Sequence, residues 1–140
     1  MTQATRDTTT GLTWESLISF TNKGIDISKH KLYQFLKDRG VEWQDIISKK
    51  LLPDEAYFDE ESKSVMIYEK KFQQTQGSAD EKPQTCAFKI QQFRKLFAPL
   101  GITDVSYIYV FNDWFEKPEY RDMLNYIKSV DGCDYIIKGE

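Results

Sequence analysis

The sequence predicts an α/β domain built on a mixed four-stranded sheet with helices on both faces. Three observations lead there. An extended segment opening at Pro53-Asp54 and a second over residues 64–72 flank a charged turn, Asp59-Glu60-Glu61-Ser62-Lys63, which makes them a hairpin. Residues 104–111, DVSYIYVF, form an unbroken β-branched and aromatic run, as expected of a central strand buried on both faces. Helical spacing then alternates with strand-like spacing, giving the order α-α-(α)-β-β-α-β-α-β, in which hairpin strands come first and βα alternation follows.

Taken in order, residues 1–10 are polar and read as a mobile arm, and residues 11–140 as a single domain. Residues 13–22 predict a short helix capped by Thr13, with Trp14, Leu17, Ile18 and Phe20 near helical spacing and Glu15 in the first turn. An acid there suits the helix dipole without any further role. Asn22-Lys23-Gly24 breaks the chain. Ser28 is placed to cap a helix over residues 29–39, with Leu32, Phe35 and Leu36 inward and Gly40 as its stop. His30 lies on it among lysines and takes no role. Residues 41–50 carry Trp43, Ile46 and Ile47 as anchors of a further short helix, and Lys49-Lys50 follow just ahead of Pro53.

Along residues 64–73, the period of two puts Val65, Ile67, Glu69, Lys71 and Gln73 on one face and Met66, Tyr68, Lys70 and Phe72 on the other. A carboxylate and an ammonium therefore end an apolar strand face, across the hairpin from Asp54. Burying such charges is costly unless they pair or bind a metal, so the arrangement points to a site. A loop, Gln76-Gly77-Ser78-Ala79-Asp80, leads to a helix with Pro83 in its first turn. That helix runs through Cys86, Phe88, Ile90, Phe93, Leu96 and Phe97, is decorated by Lys82, Lys89, Arg94 and Lys95, and ends before Pro99. Residues 118–130 predict a last helix, with Tyr120, Met123, Leu124, Tyr126 and Ile127 inward; Gly132 breaks it, and residues 133–138 form a final strand.

Composition narrows the function classes. No apolar run approaches the ~18–20 residues of a membrane span, and the polar start lacks the apolar core of a secretory signal, so a cytoplasmic protein is expected. Cys86 and Cys133 have no CxxC or Cys/His spacing, and there is one His. Buried, reduced thiols are expected, and a structural zinc site is not. Net charge is −3, which does not fit a strong non-specific nucleic-acid binder. The charge is uneven, however. Residues 1–50 hold eight Lys/Arg against six Asp/Glu, residues 51–100 seven against eight, and residues 101–140 four against eight. A polyanionic partner should meet the first two thirds.

Pro53-Asp54 followed by Glu69-Lys70-Lys71 resembles the signature of the PD-(D/E)xK nuclease superfamily. IYEKKFQQTQGSADEK is similar to a form of that site in small bacterial and phage nuclease-like proteins, where E-x-K-x-Q precedes a Gly-Ser loop and an acidic-Lys helix start. Gly11-Leu12-Thr13-Trp14-Glu15 is similar to the helix that supplies a further site carboxylate in many members. The resemblance spans about residues 11–112 and implies a restriction-endonuclease-like core. It implies a Mg²⁺-dependent DNA endonuclease, with Mn²⁺ able to substitute, that hydrolyses the phosphodiester through activated water. Asp54, Glu69, Glu15 and the main-chain carbonyl of Lys70 would hold the metal, since hard oxygen ligands suit Mg²⁺. Lys71 would orient the water or neutralise developing charge, while the Lys70 side chain points away. Gln73 would contact phosphate or the Lys71 amine, and Lys49, Lys50, Ser78 and Lys82 would contact the DNA, duplex or branched. Many relatives dimerise to cover a duplex, so a homodimer is also implied.

Two other classes stand beside this one. A phage- or mobile-element-encoded protein on a nuclease fold could bind and inhibit a host protein, such as a defence nuclease, without turnover. The acidic segment 101–140 with Trp114, Phe115 and Tyr120 would suit that interface, although core packing accounts for those aromatics equally simply. A nucleic-acid-binding module that keeps the site without cutting is the third.

Overall fold

The computed structural model describes residues 24–74 and 82–139. The arm 1–10, the helix expected at 13–22 and the loop 76–80 lie outside them. Five strands form one sheet in the order β1-β2-β3-β4-β5, where β1 is Ile25–Asp26, β2 Glu55–Asp59, β3 Ser64–Lys71, β4 Asp104–Phe111 and β5 Cys133–Ile137. The β1–β2 and β2–β3 pairs are antiparallel, and the β3–β4 and β4–β5 pairs are parallel. Helix α1 spans Lys31–Asp38, α2 Cys86–Phe97 and α3 Arg121–Ser129.

The sheet has one strand more than the four expected. β1 is two residues long, too short to show any alternation. It pairs Ile25 with Phe58 and Asp26 with Tyr57. Gly24 admits it: φ is +119° there, and a Cβ would sit 2.1 Å from the Phe58 carbonyl oxygen. The hairpin falls where the charged turn placed it, with Glu55 opposite Tyr68 and Asp59 opposite Ser64. β4 is an interior strand, flanked by β3 and β5, and β3 occupies the middle of the sheet.

Helices were expected on both faces, yet all three described helices feed the same hydrophobic cluster. Leu32, Phe35 and Leu36 of α1, Ile90, Phe93 and Leu96 of α2, and Met123, Leu124 and Ile127 of α3 meet Val65, Ile67, Tyr107, Tyr109 and Phe111 of the sheet. Topology explains this. β3, β4 and β5 follow one another in the same direction across the sheet, and successive right-handed crossovers then put both connecting helices on one side. The opposite face carries a smaller cluster of Tyr68 and Val110 with Tyr57, Met66, Phe72, Ile108 and Ile136.

Three local expectations are corrected. The Ser28 hydroxyl does not cap α1; it accepts a hydrogen bond from the Ala56 amide at 3.0 Å and ties the loop to β2. Asp26 organises the helix entry instead, accepting from the Ser28 amide at 2.9 Å and pairing with Lys31 at 2.9 Å. Residues 41–50 yield only a 3₁₀ turn, Trp43–Asp45. Phe88 and Tyr126 are exposed, because they lie off the stripes set by Cys86, Ile90 and Phe93 and by Met123, Leu124 and Ile127. The two cysteines are buried and free, and the Cys133 thiol lies 3.8 Å from the Cys86 carbonyl oxygen. No described helix is long and apolar enough to cross a membrane.

Candidate active site

The site forms where the hairpin opens toward β4. Pro53 breaks regular pairing, so Asp54 sits one residue before β2, next to the Glu55–Tyr68 pair and opposite Glu69. The Lys70 amide donates to Asp54 Oδ2 at 2.9 Å, and the Asp54 amide approaches Glu69 Oε2 at 3.4 Å. The Asp54 carboxylate is thus held by the Lys70 amide and the Glu69 carboxylate by the Asp54 amide. From β4, the Tyr107 hydroxyl donates to Glu69 Oε1 at 3.3 Å.

Glu69 is buried, at 8% exposure. Burial pushes its carboxyl up to about 8, helped by the Asp54 charge and by a hydrogen bond to Asp54. Lys71 and Lys89 pull it back down by their charge. Lys89, on α2, is itself held below the usual ammonium range by burial and by the Lys71 charge, with Glu69 opposing. The charges of Asp54, Lys71 and Lys89 all act on Glu69, and Lys82 adds its field at Lys89 from the turn before α2.

The Asp54 and Glu69 side chains come together, and the charge of Lys71, which alternation puts on the Glu69 face of β3, acts on Glu69. Lys70 turns to the other face, where its ammonium contacts Glu55. The Gln73 backbone is clamped by Asn112, whose side chain accepts from the Gln73 amide at 3.1 Å and donates to the Gln73 carbonyl at 2.8 Å. Lys82 lies on the turn entering α2. Lys49 is exposed, and Lys50 stands over Tyr33 and Trp43, with its ammonium 4.7 Å and 5.4 Å from the ring centroids. Glu15 and Ser78 lie outside the described residues.

Tyr107, Lys89 and Asn112 were not singled out from the sequence. Lys89 carried a signal: it stands in the buried stripe Cys86, Lys89, Ile90, Phe93, where a lysine is out of place. Phe93 in that stripe stacks on Tyr107 at 5.9 Å, which sets α2 over the Tyr107–Glu69 contact. The aromatics offered for a protein interface are packed instead. Phe115 is fully buried, Tyr120 is 6% exposed, and the Trp114 indole donates to the Tyr120 hydroxyl at 2.7 Å.

Among the described residues, no group of three or more His, Cys, Asp or Glu is placed to hold a metal ion. Asp54 and Glu69 offer a pair. Their chemistry fits a divalent cation, since two hard carboxylates oppose each other's ionisation in a buried place and a cation between them would reverse that penalty. No protein-family model matches the chain, and no curated protein or solved structure matches it.

Proposed function

We propose that the chain is a metal-dependent phosphodiesterase, a DNA endonuclease of the PD-(D/E)xK type. The juxtaposition of Asp54 and Glu69, with Lys71 one alternation further along β3, carries the reading. Further support comes from the order of elements, an antiparallel hairpin followed by a helix and a parallel strand.

Asp54 and Glu69 would hold Mg²⁺ or Mn²⁺, and Glu15 and the Lys70 carbonyl are the other oxygen donors the resemblance implies. A cation bound there would supply positive charge to activate water and offset the phosphate's own charge. Lys71 positions the attacking water and stabilises charge on the phosphoryl oxygens. Lys89 adds a second positive charge from the α2 side. Asn112 fixes the backbone at Gln73, keeping the strand end that carries Lys71 in place. A second copy of the chain would extend the DNA contact.

The test is incubation of the protein with plasmid, single-stranded and branched DNA in Mg²⁺ or Mn²⁺. Cleavage that disappears in Glu69→Gln and Lys71→Ala, with folding retained, supports the reading. Absence of cleavage on every substrate, together with tight capture of a protein partner, would favour the inhibitor reading instead.

A further inference from the structure

A cavity of about 400 Å³ lies between α1 and the Trp43 turn, apart from the carboxylate pair. We infer that it seats one nucleotide of the bound DNA strand, with the phosphate on Lys37 and Lys50 and the base against Trp43; the choice of ligand rests on the nuclease reading.

Its volume falls in the range of small-ligand sites, roughly 300–1,000 Å³, and is too large for a bare phosphate. Lys37, Lys50 and His30 line it together with Tyr33, Gln34 and Trp43. The acid in the lining is Glu42, so the two lysines leave the balance positive. Lys50 is held at the cavity by its placement over the two rings, which meet edge to face at 5.7 Å. An ammonium fixed in this way gives a phosphate a ready partner at little entropic cost. Trp43 is half-buried, leaving part of its indole open to a base, and stacking of this kind tolerates any sequence.

The cavity is also tied to the carboxylate pair. The Tyr33 hydroxyl donates to the Leu51 carbonyl at 2.6 Å, and the Leu51 amide approaches that hydroxyl at 2.9 Å. Two residues on, the Pro53 carbonyl accepts from the Lys29 amide at 2.8 Å. The segment from Lys50 to Asp54 is thereby pinned at two points. Four residues of extended chain reach at most ~14 Å, about four base-pair steps at ~3.4 Å each. One strand can touch both places. The whole lining lies within residues 1–50, the net-positive stretch of the chain.

Anisotropy of a fluorescent duplex carrying a single-stranded overhang, measured in EDTA across a series of NaCl concentrations, tests this on the full chain. Wild type is compared with Lys37→Gln/Lys50→Gln and with Lys95→Gln on the exposed side of α2; circular dichroism checks folding. The double variant is expected to bind ~10-fold more weakly at low salt, with the log–log salt slope reduced by about 1, and Lys95→Gln to match wild type. Trp43→Ala is expected to weaken binding without changing the slope. An unchanged slope in the double variant overturns the nucleotide seat even if the protein cuts DNA. A slope that depends on both lysines in a protein that cuts nothing supports the seat and sinks the nuclease reading. Failure of wild type to bind the duplex overturns the seat.

Discussion

The two faces of β3 hold acid–lysine groups one residue apart, and they resolve in opposite ways. On the outer face Lys70 closes on Glu55, which also accepts from the Tyr57 hydroxyl at 2.7 Å. Each charge there has its counterpart, and both side chains are largely shielded. On the core face Glu69 confronts Asp54, each carboxyl opposing the other's ionisation, while the Lys71 charge opposes that of Lys89. The first group is a finished ion pair that joins neighbouring strands. The second holds repulsion that a bound cation and a bound phosphate would relieve. Residue types alone do not separate the two; strand alternation and the position of Asp54 do.

The largest expected contrast is in turnover. Glu69→Gln or Lys71→Ala should lower DNA cleavage by about 10²-fold or more, whereas Lys70→Ala should leave the rate within a few-fold. Lys70→Ala should instead cost about 2 kcal/mol in urea unfolding, because Glu55 keeps a shielded charge without its partner. Equal loss of cleavage in Lys70→Ala and Lys71→Ala would erase the distinction between the faces.

The pH dependence of stability sharpens the same contrast. The Glu69 carboxyl is raised from an ordinary 4.5 to about 8. Below about pH 4.5 both folded and unfolded chains carry the proton, and the site costs nothing on this account. Between 4.5 and 8 the unfolded chain releases it while the folded chain keeps it, so metal-free stability falls as pH rises. Above 8 the folded chain releases it too and the loss levels off. Thermal melts in EDTA at pH 5 and pH 9 should therefore show Glu69→Gln gaining on wild type at the higher pH.

Much of this arrangement was legible in the sequence, for physical reasons. The period of two in residues 64–73 fixed which face Glu69 and Lys71 share, and the charged turn set Asp54 across from them. The parallel register was not legible. Nothing local states that Tyr107 pairs with Ile67 and so brings its hydroxyl to Glu69, or that Asn112 follows Phe111 to the level of Gln73. The two residues of β1 were hidden because they owe their pairing to a close approach at Gly24. The side of the sheet that the helices cover was recoverable from strand order, but that order had to be known first.

Smaller effects follow from those register contacts. Asn112→Ala should cost about 2 kcal/mol in urea unfolding, through two hydrogen bonds lost at a buried position, and should lower cleavage as the strand end loosens. Tyr107→Phe keeps the ring stack on Phe93 and removes one long hydrogen bond to Glu69. A cleavage loss of only a few-fold is expected, read as a small rise in the pH at which activity appears.

The most direct measurement is calorimetric titration of Mn²⁺ into the protein at pH 7 in two buffers of different ionisation heat. One ion per chain is expected, with proton release from Glu69 on binding. Binding should vanish in Asp54→Asn and in Glu69→Gln and persist in Glu55→Gln. Binding that survives in both core-face variants, or that falls equally in Glu55→Gln, would contradict a metal site between Asp54 and Glu69.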